Sequence, residues 1–170
     1  SRALRELERL LGSAEEITLR LGEREASFEV GELRLTTRLI EGEFPNYRGL
    51  IPASHPNQLT VGRESLVEAV RRVKLMAREP NTPVRLAMSA EGLELVAITQ
   101  DVGQAHEQLD ASYSGEELTV AFNPDYLLSG VEVSPGDEIT LYTVDAQKPA
   151  VIRAQGADDF LYLLMPVRVS

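Results

Sequence analysis

One unit of pattern recurs three times along this chain: a short stretch with apolar residues at helical spacing, then three stretches in which apolar and polar residues alternate. Repetition of one supersecondary unit constrains the fold strongly, because each unit must bury its apolar face against a neighbour. In the first unit Leu4, Leu7, Leu10 and Leu11 recur at helical spacing, and Gly12 follows as a stop signal. Segments 17–21, 26–30 and 33–39 then alternate, which predicts half-buried antiparallel strands joined by tight turns. The second unit places a strand at 58–61 before a helix at 64–77, whose apolar face is Leu66, Val70, Val73 and Ala77. Strands at 84–88, 93–98 and 104–113 follow. The third opens with a strand at 118–122, and its helix starts at Asn123-Pro124-Asp125, with asparagine as N-cap and proline at N1. Its strands lie at 138–144, 150–154 and 160–165.

The first unit lacks the strand that precedes the helix in the other two. Residues 53–170 therefore read as a complete two-unit domain, and residues 1–52 as the second half of another such domain plus a linker. A helix on three strands buries little and leaves a sheet edge open, so the half-domain is expected to be unstable alone or to pair with another chain. The class is α+β.

With 43% hydrophobic residues in 170, a real core is expected. The net charge of -10 argues against a simple nucleic-acid coat, since a duplex repels a globally acidic partner, but leaves room for a clustered basic face. The absence of cysteine removes disulfides, thiolate nucleophiles and cysteine-based zinc sites. No run approaches eighteen consecutive apolar residues. A soluble, cytoplasmic protein is the expectation.

Two segments stand out as candidate sites. Phe44-Pro45-Asn46-Tyr47-Arg48 sits where the linker should be, and Pro45 stiffens it. It reads either as an ordinary connection, with Phe44 and Tyr47 packed into flanking cores, or as a stiff wall of a groove. The terminal run from Phe160 to Ser170 is apolar with almost no tail. In a regular strand Leu163, Met165 and Val167 share one face and Leu164 the other, while Pro166 marks an edge or the end of pairing. It reads either as a buried last strand or as an adaptable apolar surface.

Basic residues fall in stripes: Arg2, Arg5 and Arg9 on the first helix, and Arg71, Lys74 and Arg78 on the second, with Arg72 beside them and Arg63 at the helix start. Such stripes are usually solvated faces, and Glu6, Glu8, Glu64 and Glu68 dilute them. On an acidic chain, two basic faces also suit a surface that holds a phosphate backbone. Enzymatic chemistry finds little support. His55 and His106 show no metal-ligand spacing, and the glycines form neither a phosphate loop nor a dinucleotide fingerprint.

Several strings in order carry a resemblance to one family: Phe44-Pro45-Asn46-Tyr47-Arg48 with Ile51-Pro52 after it, Tyr113-Ser114-Gly115, Phe122-Asn123-Pro124-Asp125-Tyr126-Leu127-Leu128, Lys148-Pro149-Ala150-Val151-Ile152 and Tyr162-Leu163-Leu164-Met165-Pro166-Val167-Arg168. Over essentially the whole chain the sequence resembles the bacterial DNA polymerase III beta subunit, the sliding clamp. The resemblance implies the DNA-clamp fold, with helices on one face of the sheets, residues 53–170 as its last domain and 1–52 as the second half of its middle domain. It implies a non-catalytic processivity factor without cofactor or metal, nucleoid-associated in bacterial cytoplasm. Such a factor encircles duplex DNA as a head-to-tail homodimeric ring that this fragment cannot close. Its partners would be the replicative polymerase, the clamp loader and repair proteins, captured as linear peptides in a hydrophobic pocket. Matched residue by residue, that pocket takes Pro45, Leu50, Pro149 or Ala150, Leu163, Met165, Pro166, Val167, Arg168 and Val169. Arg2 and Arg72, with Arg5, Arg71 and Lys74, would face DNA, and Leu75 and Met76 would fall at the ring interface. The alternative is a beta-rich protein–protein adaptor with no role at DNA.

Overall fold

The computed structural model describes residues 2–12, 14–77, 82–99 and 103–168, with the backbone alone for Asp158. The chain divides into two compact units, Ser1–Pro45 and Asn46–Ser170.

The first unit is helix α1 (Arg2–Leu11) and a meander of β1 (Thr18–Leu21), β2 (Glu25–Val30) and β3 (Leu33–Arg38), in the order β1-β2-β3. The meander's turns demand special backbone: Gly31 takes φ +57° between β2 and β3. Burial is slight. Among the described residues of this unit, Leu7, Ala26 and Val30 are the buried apolar side chains, and all four residues of β1 are exposed. Polar contacts add a cross-strand triad, in which Arg20 Nη2 lies 3.4 Å from Glu29 Oε2 and Arg34 also pairs with Glu29. Those two guanidinium groups hold the Glu29 carboxyl below its ordinary value.

The second unit contains β4 (Asn57–Gly62), α2 (Arg63–Lys74), β5 (Val84–Ser89), β6 (Gly92–Thr99), β7 (Gly103–Leu109), β8 (Ala111–Ser114), β9 (Leu118–Phe122), α3 (Pro124–Glu132), β10 (Glu138–Thr143), β11 (Ala150–Ala154) and β12 (Ala157–Leu164). They form two antiparallel sheets, ordered β12-β11-β10-β4-β8 and β7-β6-β5-β9. The two repeated units therefore exchange their opening strands. Strand β4 precedes α2 but pairs with β10 (Leu59 opposite Leu141), and β9 precedes α3 but pairs with β5 (Val120 opposite Leu86).

The helices close the unit. On α2, Leu66, Val70 and Val73 are buried together with Val67 and Ala69, and α2 packs on α3 and on strands of both sheets. On α3, Leu127, Leu128 and Val131 face inward. One core joins both helices to both sheets, with Phe122, Leu59, Leu66, Leu86 and Ile152 among its largest fully buried side chains. The α3 start behaves as Asn123-Pro124-Asp125 predicts: Asn123 Oδ1 accepts from the N–H groups of Asp125 (2.9 Å) and Tyr126 (3.3 Å).

Three expectations need correction. The strand expected at 104–113 is two strands in two sheets, β7 and β8, parted at Asp110. Gly92 packs against the end of β7, where a Cβ would lie 2.8 Å from the Leu109 carbonyl oxygen at φ +123°. Alternation continued through the break, so the pattern did not reveal the change of sheet. Helix α2 ends at Lys74 rather than Ala77, because the N–H groups of Leu75, Met76 and Ala77 bond three residues back, to Arg72, Val73 and Lys74, in a tightened last turn. The last strand stops at Leu164, before Met165.

Candidate binding cleft and helical charge face

In the second unit a cleft of about 370 Å³ is lined by Leu50, Ile51, Pro52, Val144, Lys148 and Pro149. One wall follows a 3-10 turn at Tyr47–Leu50, in which Gly49 N–H donates to Asn46 O (3.1 Å) and Pro52 then sets an extended exit. The other wall is the β10–β11 connection. There Asp145 Oδ1 accepts from Gln147 N–H (2.8 Å) and Lys148 N–H (2.9 Å), which fixes the turn that presents Pro149. These two backbone donors are also the main reason that the Asp145 carboxyl lies below its ordinary value.

Buried Asn57 ties the cleft to the sheet. Its Nδ2 donates to Val144 O (3.1 Å), and its Oδ1 accepts from Glu116 N–H (3.1 Å). Nearby, the His55 ring lies tilted against Tyr142 with centroids 5.2 Å apart. Among the described residues its Nδ1 is buried without a hydrogen-bond partner. Burial, and secondarily Arg153, push the His55 pKa down.

The residues matched to a peptide pocket distribute unevenly. Leu50 and Pro149 line the cleft. Ala150 does not reach it: at 0% exposure it belongs to the core opposite Leu164, because strand alternation turns it inward. The Ala150–Leu164 pair brings the ends of β11 and β12 together, so Pro149 and Met165 leave the same end of that ladder. Leu163 is half-buried opposite Val151, and Met165 is 55% exposed. Alternation is lost beyond Leu164. Val167 N–H instead donates to Ala121 O on the outer edge of β9 (2.7 Å), and Pro166 and Val167 are half-buried while Arg168 is exposed. Pro45 is exposed at the end of the first unit, and Val169 lies outside the described residues. Phe44 is 83% exposed, against the expectation of a ring packed into a flanking core.

Sequence reasoning missed Ile51, Pro52, Val144 and Lys148 as cleft residues. The family strings Ile51-Pro52 and Lys148-Pro149 ran through three of them; Val144 carried no signal.

On α1, Arg2 and Arg5 are exposed with no ion pair among the described residues, while Arg9 pairs with Glu6 at 3.2 Å. On α2 the cations are paired. Arg72 makes a two-pronged contact with Glu107 of β7 (2.8 and 3.2 Å), which holds the Glu107 carboxyl below its ordinary value. Arg71 donates to Glu132 of α3 at 2.9 Å, and Lys74 pairs with Asp125. Leu75 is 74% exposed after the helix, and Met76 is partly buried on the core; Arg78 lies outside the described residues.

Comparison with known proteins places these features in a family. Residues 48–168 match the DNA polymerase III beta subunit, C-terminal domain, and residues 1–46 match its central domain. The chain belongs to the DNA polymerase III beta-subunit family. The beta sliding clamp of Streptomyces coelicolor is 36% identical over 181 residues, covering 100% of this chain and 48% of its own length. That of Synechocystis sp. is 33% identical over 174 residues, covering 99% and 44% respectively. A crystal structure of the Bartonella birtlesii sliding clamp bound to griselimycin superposes with a TM-score of 0.84 at 35% identity, covering 99% of this chain and 46% of that one. The chain thus spans less than half the length of these relatives. Among the described residues no helix is long and apolar enough to cross a membrane.

Proposed function

We propose that the chain is the client-binding part of a polymerase processivity clamp. In this reading it is a non-catalytic cytoplasmic protein whose residues 53–170 form the clamp's last domain and whose residues 1–52 form the second half of the middle domain with its linker. The cleft carries the reading: two proline-stiffened walls, at Leu50–Pro52 and Val144–Pro149, bound an apolar space beside the point where Met165 leaves β12. Apolar anchors of an extended peptide suit such a space, with Lys148 at its rim. Leu163, Met165, Pro166, Val167 and Arg168 act as the second part of this surface. Leu75 and Met76 belong to the ring contact of a complete clamp.

The test is titration of a fluorescent Gln-Leu-x-Leu-Phe peptide, with griselimycin as competitor. Leu50→Ala, and separately Leu163→Ala with Met165→Ala, should each weaken binding by about tenfold or more. Binding that survives both sets unchanged overturns the assignment.

For DNA, Arg2 and Arg5 of the first unit, and separately Arg71, Arg72 and Lys74 of the second, are the contact residues, each group holding a duplex by diffuse phosphate attraction. The carboxylates paired with the α2 cations favour a second reading, an adaptor without a DNA role. Association with duplex DNA that weakens steeply with salt supports the first; none at low salt supports the second.

A further inference from the structure

The α2 cations are each paired with carboxylates, which come from three elements. Glu64 and Glu68 come from α2 itself, at 3.9 Å from Arg63 and 3.5 Å from Arg72. Glu107 comes from β7, and Asp125 and Glu132 come from α3. Four cations therefore face five carboxylates, and the patch is near neutral as it stands. Between α2 and α3 two of these pairs border an open cleft of about 530 Å³, where Arg71 and Lys74 lie beside Asp125 and Glu132. The pairing is solvent-accessible: side-chain exposures of Arg71 and Glu132 are 61% and 41%. Exposed pairs of this kind are individually weak, so an incoming anion can displace a carboxylate from its cation. On α1 the contrast is plain, since Arg2 and Arg5 have no such partners among the described residues.

We propose that Glu107, Asp125 and Glu132 are built-in competitors of the DNA phosphates for Arg71, Arg72 and Lys74, so that α2 meets a duplex by exchanging carboxylate for phosphate rather than by adding unopposed charge. The proposal rests on the reading of α2 as DNA-facing and deepens it. Exchange has two physical consequences. Each contact gains only the difference between two similar ion pairs, so a backbone can move past at little cost per step. Each displaced carboxylate also takes up a cation from solution, offsetting a counterion released from DNA and flattening the salt dependence. The three acids are positioning residues acting through the cations; none needs to touch DNA.

The experiment uses the full chain and a duplex of about 20 base pairs, with binding followed by fluorescence anisotropy from about 20 to 150 mM salt. The variant Glu107→Gln/Asp125→Asn/Glu132→Gln should bind about tenfold tighter at low salt. Its log–log salt slope should steepen by up to about 0.9 for each phosphate contact freed. Glu107→Gln alone lies on a strand away from helix ends and should give part of the gain, should the triple variant be poorly folded. Adding Arg71→Ala, Arg72→Ala and Lys74→Ala should abolish the gain.

An equal gain from Glu15→Gln/Glu16→Gln/Glu32→Gln, far along the chain, would show a net-charge effect and overturn the proposal. No gain, with the alanine substitutions still weakening residual binding, overturns the competition while leaving α2 as the DNA face. No response to either set overturns the DNA-facing reading and the proposal with it.

Discussion

Gly130 of α3 and the ring of Tyr162 on β12 occupy space that one more carbon would contest: a Cβ on Gly130 would lie 2.6 Å from Cε1 and 2.8 Å from Cγ of Tyr162, and closer still to Cδ1. The ring cannot swing aside freely, because its hydroxyl donates to Tyr126 O at 3.0 Å and its backbone pairs opposite Ile152. The glycine is therefore a docking point between helix and sheet.

Gly130→Ala sets two effects against each other. Alanine gains about 1 kcal/mol over glycine inside a helix, whereas overpacking a filled contact costs about 1–3 kcal/mol. The contact should win, with a net loss of up to about 2 kcal/mol in urea unfolding. Combining it with Tyr162→Leu should recover the helix gain; a double variant less stable than the sum of the singles would refute the steric account.

Gly115 follows β8 with φ +136°, and a Cβ there would lie 2.9 Å from Asn57 Cα and closer to its Oδ1. Gly115→Ala should therefore displace the side chain that joins Val144 to Glu116. A loss of about 2–4 kcal/mol is expected, from left-handed strain and the broken buried bonds together. Because Val144 lines the cleft, peptide affinity should fall as well. Full affinity in a folded Gly115→Ala chain would separate the Asn57 bridge from the cleft.

His55 sets a pH dependence. Its folded pKa lies below the ordinary value of 6.5, chiefly through burial. The unfolded chain then binds the proton more readily, so the contribution is fully present above 6.5 and is lost as pH falls through the folded value. Urea midpoints should decline from pH 7.5 to 5.5, and His55→Phe should flatten that decline. A slope unchanged in His55→Phe would place its origin elsewhere.

The elements whose faces alternate or recur cleanly were legible before the structure: Leu66, Val70 and Val73 announced α2, and Asn123-Pro124 announced the start of α3. The exchange of β4 and β9 was not, because pairing between residues 59 and 141 leaves no trace in local periodicity. Site residues divided the same way. Leu50 and Pro149 came from the family resemblance, while Val144 entered through a turn closed by Asp145. The carboxylates facing α2 lie 35 to 61 residues from their cations. The basic stripe was visible in the sequence, with Glu64 and Glu68 beside it, and the three acids from β7 and α3 that pair with it were not.

The exchanged strands also bear on synthesis. Leu59 and Val61 of β4 find their partners in β10, Leu141 and Ile139, only after the intervening residues have been made. At about 5–20 residues per second this separation amounts to roughly 4–16 seconds on the ribosome. During that interval α2 and the β5–β7 meander can form by local contacts, and β4 can pair with β8 once Ser114 has emerged, but the other edge of β4 waits for β10, and β5 lacks β9 until Phe122 has emerged. The second unit is thus committed to closing late, and its early half waits with open strand edges exposed to other nascent chains.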